Sequence, residues 1–293
     1  MLALIAGTGD LPGAVIGALK TRPLVCALDG FPPAVKPDVT FRIERLGGFL
    51  KALRKRGVTH ICMAGAVRRP QINLRALDLA TLPLIPTIWR AIAKGDDGAL
   101  RGFIAVLEQR GFTVVGAHEA SPDLLPPSGV LTDVAPQDQH RIDAIAGEAC
   151  LAGMGAVDLG QACVVAGGKV IASEDDTGTD AMLMRVQPQD ERVPMAGDPV
   201  DWAIDQISDW LQPGPKTPAA CENGILFKGP KPGQDRRADL PVIGLRTVVN
   251  AAAAGLAGIV IEADGVMVLD RAGVIEVLNA QGMFLWVRPK GTI

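Results

Sequence analysis

The sequence lacks the features that mark several other classes of protein. Its five cysteines are far apart, odd in number and without C-x-x-C spacing, so they indicate neither a zinc site nor a redox pair. Its longest mostly apolar run, residues 248–261, is shorter than the roughly 20 residues that a membrane-spanning helix needs. Its formal net charge of −3 gives no general attraction to nucleic acid, so no nucleic-acid partner is expected.

The amino terminus also lacks the basic region that precedes the apolar core of a signal peptide. The apolar residues 2–6 are followed at once by the turn sequence GTGD, which predicts a buried strand. We therefore expect a cytoplasmic protein. The chain has 293 residues, 48% of them hydrophobic, which is enough for two ordinary domains with a sizeable core.

The first domain is predicted over residues 1–120 as a Rossmann-like α/β domain. Short runs rich in Val, Ile and Leu alternate there with helical patterns, which indicates crossover units and a parallel sheet. The predicted strands are 2–6, 23–27, 39–43, 58–64 and 112–116, and the predicted helices are 11–19, 47–56, 83–94 and 97–109. Residues 121–137, which include four prolines, have the composition of a linker.

The second domain is predicted over residues 138–293, also as α/β, and would carry the catalytic groups. The glycine pair 167–168 predicts a hairpin between strands 162–166 and 169–173. The other predicted strands are 225–227, 259–262, 266–269 and 284–287, and the predicted helices are 139–152, 198–211, 245–254 and 272–280.

Residues 228–244 concentrate charged side chains between prolines and glycines. Proline restricts the backbone and glycine lets it approach a ligand closely, so the charges can be held at fixed positions. Lysine and arginine neutralise phosphate oxygens, whereas aspartate binds a hard cation such as Mg²⁺ or takes a proton from water. A solvated surface loop is the alternative. The charged residues are Lys228, Lys231, Asp235, Arg236, Arg237 and Asp239.

Two glycine-containing turns should lie on one rim of the first domain. The turn GTGD, residues 7–10, follows a predicted strand and precedes a helix, where backbone N–H groups can hold phosphate or ribose. Pro12 stands where the dinucleotide motif G-x-G-x-x-G has its third glycine, so a plain tight turn remains the alternative. The second turn ends a parallel strand and brings Gly65, Arg68 and Arg69 to the same edge.

Two further groups of polar residues are candidates for substrate binding in the first domain. The sequence KGDDGALR offers Lys94, Asp96 and Asp97, although helix capping would explain one of the aspartates. His118 and Glu119 follow the last predicted strand, and we interpret His118 as a ligand contact. A lone histidine is more often structural, and no Ser or Cys nucleophile motif accompanies it to form a triad.

In the second domain, the sequence TGTDAML, residues 177–183, predicts a helix start that can receive a phosphate. Thr177, Gly178 and Thr179 precede Asp180, so exposed N–H groups and hydroxyls would come together, although capping alone would explain the threonines. Asp180 also adds a carboxylate of the kind that Mg²⁺ needs.

These segments resemble, in their order and spacing, the UDP-2,3-diacylglucosamine pyrophosphatases of the LpxI type. The resemblance runs nearly end to end and includes LIAGTGDLP, MAGAVRRP, KGDDGALR, GAHE, TGTDAML, the 228–244 loop and AGLAGIVIEA. It implies a Mg²⁺-dependent hydrolase of lipid A biosynthesis. Such an enzyme splits UDP-2,3-diacylglucosamine into UMP and 2,3-diacylglucosamine 1-phosphate, which is lipid X.

The resemblance also implies roles for the candidate residues. Asp239 would hold Mg²⁺ or activate the attacking water, and Asp235 and Asp180 would assist it. Asp180 would be the second metal ligand. Cationic residues Lys228, Lys231 and Arg237 would offset charge on the phosphate. The substrate would be bound by Gly7, Thr8, Gly9, Asp10, Gly65, Arg68, Lys94, Asp96, Asp97, His118, Glu119, Thr177, Gly178, Thr179 and Asp180.

The resemblance suggests a homodimer and leaves peripheral contact with the inner membrane open. Two other functions stay open from the residues alone. The strand followed by GTGD would suit an NAD-dependent Rossmann oxidoreductase. The charged loop would equally suit a regulator that binds UDP-sugar without catalysis.

Overall fold

The chain forms two compact units. The computed structural model describes residues 1–67, 72–92, 95–156, 159–188, 221–231, 233–237 and 239–292. The first unit consists of Met1–Asp123 together with Gln234–Asp239, and the second consists of Leu124–Gly233 and Leu240–Ile293. Part of the charged loop therefore belongs to the first unit, which the sequence did not predict.

A five-stranded parallel sheet is the centre of the first unit, as predicted. The strand order is β3-β2-β1-β4-β5, so the first strand lies in the middle. Four of the five residues of β1 are buried, because short apolar strands of a parallel sheet are covered on both faces. The strands are β1 Leu2–Ala6, β2 Leu24–Leu28, β3 Val39–Phe41, β4 His60–Ala64 and β5 Thr113–Val115.

The helices of the first unit follow the predicted apolar spacing. Helix α2, for example, buries Leu46, Leu50 and Leu53 at intervals of three and four residues and exposes its basic side chains. The predicted helix 83–94 begins as the 3₁₀ turn Leu82–Leu84, which continues into α3. The helices are α1 Leu11–Ala18, α2 Leu46–Lys55, α3 Ile85–Ile92, α4 Gly95–Gln109 and α5 Ala117–Ala120.

The second unit contains a six-stranded mixed sheet in the order β6-β13-β11-β9-β7-β8. Strands β9, β11 and β13 are parallel, and the hairpin of β7 and β8 confirms the glycine-pair prediction. A separate parallel pair joins β10 to β12. The strands are β6 Gly129–Val130, β7 Ala162–Ala166, β8 Lys169–Ser173, β9 Ile225–Lys228, β10 Val242–Ile243, β11 Gly258–Glu262, β12 Met267–Val268 and β13 Phe284–Arg288.

The edge strand β6 was not predicted, because it has only two residues and lies in the proline-rich segment 121–137. The described helices of this unit are α6 Asp138–Ala156, α7 Thr179–Val186, α8 Leu245–Ala253 and α9 Arg271–Ala280. The predicted helix 198–211 lies outside the described residues. Among the helices that are described, none combines the length and the apolar character needed to cross a bilayer.

Candidate functional site

At the carboxyl edge of the first sheet, the loops after β1 and β4 are bonded to each other. The N–H of Thr8 donates to the carbonyl of Ala66 at 2.9 Å, and the N–H of Ala66 donates to the carbonyl of Thr8 at 2.9 Å. The Thr8 hydroxyl donates to the same Ala66 carbonyl at 3.1 Å. The two loops predicted to share a rim are therefore one connected structure.

This contact explains why both loops contain glycine. A Cβ on Gly7 would lie 2.5 Å from the Ala66 carbonyl oxygen, and a Cβ on Gly65 would lie 2.7 Å from the Thr8 carbonyl oxygen. Gly65 also has a φ of 90°, which L side chains rarely adopt. Asp10 occupies the N-cap position of α1 but makes no capping hydrogen bond with its side chain, which is exposed.

His118 lies on the short helix α5, which only Gly116 separates from the end of β5. Its Nδ1 is buried and has no hydrogen-bond partner in the described structure. Its ring packs so closely on Gly116 that a Cβ there would be 2.6 Å from Cε1 and 3.2 Å from the Arg237 Cα. Burial lowers the pKa of His118, Glu119 raises it and Arg236 lowers it, so the net direction favours the neutral ring.

Glu119 serves as a capping residue of α5. Its Oε2 accepts a hydrogen bond from the Gly116 N–H at 2.6 Å, three residues earlier. The carboxylate that the sequence assigned to the substrate thus has a structural partner in the loop that leaves β5.

In segment 234–239, Arg237 is surrounded by carboxylates. Its Nε and Nη2 donate to both oxygens of Asp235, at 3.0 and 2.8 Å, and its Nη1 donates to Glu108 of α4 at 2.7 Å. The Arg237 guanidinium holds the pKa of Asp235 below its usual range. The geometry gives Asp235 a direct role in orienting Arg237.

Asp239 lies at the other end of this segment and is half-buried. Its Oδ2 accepts a hydrogen bond from the Gln234 side chain at 2.6 Å, and its N–H donates to the Asp235 carbonyl at 3.3 Å. Hydrogen bonds within segment 234–239 therefore hold Asp239, the residue for which the main catalytic role is predicted.

A buried polar chain occupies the second unit at the carboxyl end of β9. Lys228 is 7% exposed, and its ammonium group donates to the Thr179 hydroxyl at 2.7 Å. That hydroxyl donates to Glu174 at 2.7 Å, and the other oxygen of Glu174 accepts from the Gln161 N–H at 2.6 Å. The structure therefore brings together a lysine and a helix start that lie 49 residues apart in the sequence.

The rest of the TGTDAML segment is held by an ion pair and by hydrogen bonds of Thr177. Asp180 pairs with Arg246 of α8 at 3.4 Å. Thr177 donates through its hydroxyl to Asp175, and Arg185 donates to the Thr177 hydroxyl at 3.0 Å. Neither threonine acts as the cap, because the N-cap residue of α7 is Gly178 with a φ of 92°.

The candidate residues divide between the two units. The first unit holds Gly7, Thr8, Gly9, Asp10, Gly65, His118, Glu119, Asp235, Arg237 and Asp239, and the second holds Lys228, Lys231, Thr177, Gly178, Thr179 and Asp180. Outside the described residues lie Arg68, Arg69, Lys94 and the side chains of Asp96 and Asp97. Within the described part of the chain, no three His, Cys, Asp or Glu side chains form a group that could hold a metal ion.

Sequence reasoning missed four residues that contact the candidates. These are Glu108, Glu174, Gln234 and Arg246, each of which holds a candidate side chain. Glu108 and Arg246 lie on ordinary helix surfaces and carry no local motif. Their roles depend on contacts between distant parts of the chain.

Comparison with known proteins gives matches along nearly the whole chain. A family model described as the LpxI N-terminal domain matches residues 1–124, and one described as the LpxI C-terminal domain matches residues 127–286. The chain is 36% identical over 295 aligned residues to a Caulobacter vibrioides protein named UDP-2,3-diacylglucosamine pyrophosphatase LpxI. The alignment covers 97% of this chain and 96% of that relative.

Proposed function

The chain belongs to the LpxI family, and from this membership we propose that it hydrolyses UDP-2,3-diacylglucosamine to UMP and 2,3-diacylglucosamine 1-phosphate. It is a UDP-2,3-diacylglucosamine pyrophosphatase, a hydrolase of lipid A synthesis. The observation that carries the proposal is the match across both family domains, which extends along 97% of the chain. The specific products are the part that needs an experiment.

The proposed reaction breaks one P–O bond of the pyrophosphate and adds the oxygen of water to one phosphorus. Asp239 is proposed to take the proton of the attacking water. Lys228 and Lys231 are proposed to offset the negative charge that builds up on the phosphate oxygens. Arg237 is proposed to have the same role. Its hydrogen bonds to Asp235 and Glu108 fix the direction of its guanidinium, which supports this proposal.

The substrate contacts proposed on the first unit are the rim of Gly7, Thr8, Gly9, Asp10 and Gly65. The connected loops at Thr8 and Ala66 support a preformed binding rim, since their backbones are already bonded to each other. His118 is proposed as a further contact, because its buried Nδ1 has no partner in the described structure and a substrate group could supply one. On the second unit, Thr179 and the start of α7 are proposed to receive phosphate.

Mg²⁺ is proposed as the cofactor, with Asp239 and Asp180 as its candidate ligands. Mg²⁺ prefers oxygen donors and is commonly bound by one or two carboxylates together with water and substrate phosphates. When bound, the ion would neutralise phosphate charge.

The two alternative functions receive no support from the comparisons. An NAD-dependent oxidoreductase would need the third glycine of its motif, where this chain has Pro12 within the first turn of α1. A regulator that binds UDP-sugar without turnover would share the fold, so only an activity assay separates it from the enzyme.

We also infer that the protein is a cytoplasmic homodimer. A monomer mass measured by light scattering would contradict the dimer.

The test is UMP release from UDP-2,3-diacylglucosamine by purified wild type, Asp239→Asn and Asp239→Ala, each with Mg²⁺ and with EDTA. We expect release that requires the metal and falls by about 100-fold or more in both variants. Asp133→Asn is the matched control, because it removes an exposed carboxylate in the second unit. Circular dichroism of each variant checks that the fold is retained.

Binding of UDP-2,3-diacylglucosamine by wild type without any UMP release would contradict the hydrolase and favour the regulator. Release that is equal in Mg²⁺ and in EDTA would reject the metal requirement but keep the reaction. Full activity of Asp239→Asn would remove this residue from the chemistry. Each part of the proposal thus fails by a different result.

A further inference from the structure

Residues 79–90 of the first unit carry apolar side chains on the outside as well as on the inside. On the inside, Leu84 is 4% exposed and Ile88 packs against the core of this unit. On the outside, Leu79 is 86% exposed, Leu82 46% and Trp89 71%. Large apolar side chains grouped on an exposed surface mark sites where a protein binds another protein or a membrane.

Three of the exposed side chains share one face. The 3₁₀ turn Leu82–Leu84 leads directly into α3. Leu82, Pro86 and Trp89 are exposed and have the spacing i, i+4, i+7, which places them on one side of a helix. We call Leu82, Pro86 and Trp89, together with the exposed Leu79 of the preceding turn, the outer apolar face. Single exposed apolar residues are common, but a large tryptophan aligned with leucines is not.

Two of the three charged residues in the described segment 72–92 are arginines. Arg75 and Arg90 are exposed, and Arg90, which follows Trp89 directly, donates from its Nε to the Pro86 carbonyl at 3.1 Å. The one acid of this segment is Asp78. Asp78 accepts hydrogen bonds from the N–H groups of Gly48 at 3.0 Å and Thr81 at 2.7 Å. Burial raises the pKa of Asp78, but the bonds from Thr81 and Gly48 outweigh it and lower the pKa, so this carboxylate is held by protein groups.

We propose that the outer apolar face docks on the surface of an anionic phospholipid bilayer. Tryptophan and arginine are the side chains that anchor proteins at the boundary between headgroups and acyl chains. The eight residues of α3 are too few to span a bilayer, so the helix would lie in the plane of the interface. The charge complementarity between Arg75, Arg90 and anionic lipid selects this partner.

A second copy of the chain is a less suitable partner for this face. In a two-fold symmetric contact the same patch meets itself, so both copies would bring the positive charges of Arg75 and Arg90 to one apolar interface. The docking rests on the proposed function in one respect, which is that the substrate carries acyl chains and would be drawn from a membrane. The docking itself can be measured without turnover.

The test is flotation of the purified full chain with vesicles of phosphatidylcholine alone or of phosphatidylcholine mixed with phosphatidylglycerol. We expect binding to the anionic vesicles, weakened by added salt. Replacement of both Arg75 and Arg90 by Gln should weaken it by about fivefold or more. Leu82→Ser and Trp89→Ser should each weaken it by about fivefold to tenfold. Ile142→Ser is the matched control, because it removes a 53% exposed isoleucine from the second unit.

Tryptophan fluorescence gives an independent readout at this position. Trp89 emission should shift to shorter wavelength when anionic vesicles are added, and the shift should be missing in Trp89→Phe. Leu79→Ser serves as the variant least able to disturb folding, since this side chain is 86% exposed, and it should weaken flotation without lowering thermal stability.

Wild type that fails to float with anionic vesicles, or Leu79→Ser, Leu82→Ser and Trp89→Ser variants that float as well as wild type, would overturn the docking. A dimer that dissociates on Leu82→Ser would overturn it as well and would assign the face to self-association. Hydrolysis of substrate dispersed in detergent should be unchanged in the Leu79 and Leu82 variants. If wild type did not hydrolyse the dispersed substrate, the proposed function would be contradicted, whereas the vesicle-binding result would still hold.

Discussion

At the scale of single residues, the charged groups near the proposed chemistry are held by other protein groups. Arg237 donates three hydrogen bonds to the carboxylates of Asp235 and Glu108. Such bidentate pairing fixes the guanidinium plane as well as its charge. Asp235 is therefore better described as a residue that positions Arg237 than as a ligand of Mg²⁺.

Replacement of Asp235 separates these two roles. Asp235→Asn should lower kcat/KM by about tenfold to 100-fold, because Arg237 loses the carboxylate that binds it through two nitrogens and keeps only Glu108, while the Mg²⁺ concentration for half-maximal activity stays the same. Glu108→Gln should have a smaller effect, since this carboxylate is 46% exposed and accepts one hydrogen bond. A marked rise in the Mg²⁺ requirement of Asp235→Asn would instead make this residue a metal ligand.

Glu44 is a buried carboxylate that makes stability depend on pH. Its side chain is 2% exposed, accepts from Arg42 at 3.3 Å and accepts from the Asn73 N–H at 2.8 Å. The bonds from Arg42 and Asn73 lower the pKa of Glu44 to about 2. In the unfolded chain the pKa is about 4.3, so the ionised group stabilises the fold at neutral pH.

The stabilisation by Glu44 should be complete above about pH 4.3 and should be lost as the pH falls toward about 2. Urea unfolding at a series of pH values measures it. Glu44→Gln should be less stable than wild type at neutral pH, and the difference should shrink steadily below about pH 4.3. A difference that stays constant down to pH 2 would show that the ionisation of Glu44 contributes nothing.

At the scale of elements, the loops after β1 and β4 require glycine where their backbones meet. Gly65→Ala should lower the free energy of unfolding by about 2 kcal/mol or more, because φ is 90° and the Thr8 carbonyl blocks the new Cβ. Gly17→Ala is the control within a helix. Its Cβ would meet no atom within 4 Å, so it should raise the stability by about 0.5–1 kcal/mol.

The same two variants should differ in ligand binding. Gly65→Ala alters the rim proposed for the nucleotide, so UMP binding measured by calorimetry should weaken by about tenfold, whereas Gly17→Ala should bind as wild type does. Equal UMP affinity in Gly65→Ala and wild type would remove this rim from the binding site, even if the stability falls as expected.

The regular elements could be predicted from the sequence because their signals are local. Strands 2–6, 162–166 and 169–173 were predicted with the bounds that they have in the structure, since apolar runs and a glycine pair define them. The strand β6 could not be predicted, because two residues have no periodicity and only pairing with β13 makes them a strand.

Only the motifs of the candidate site could be predicted from the sequence, and the contacts between them could not. The contact of Lys228 with Thr179 joins two segments that were both proposed to bind phosphate, but nothing in either segment indicates the other. The contact of Arg237 with Glu108 spans 129 residues and depends on segment 234–239 joining the first unit. Such contacts follow from chain topology, whereas residue type and spacing report only on neighbours along the sequence.

At the scale of the whole molecule, the five cysteines can report on the two units separately. No disulfide is present, and burial raises the pKa of Cys26 and Cys62 to about 12. Cys26 and Cys62 lie on strands that flank β1 in the first unit. In the second unit, Cys163 and Cys221 are also buried. Cys150 is only half-buried, and its Sγ donates to the Met154 Sδ at 3.6 Å.

Thiol labelling followed by mass spectrometry should therefore show three classes of cysteine in the native protein. Cys150 should react first, because only thiolate reacts and its group is the most accessible. Cys26 and Cys62 should become reactive together as denaturant is added, because one sheet protects both, and Cys163 and Cys221 should do so together at the opening of the second unit. If Cys26 and Cys62 reacted at clearly different denaturant concentrations, the five-stranded sheet would not open as one cooperative element.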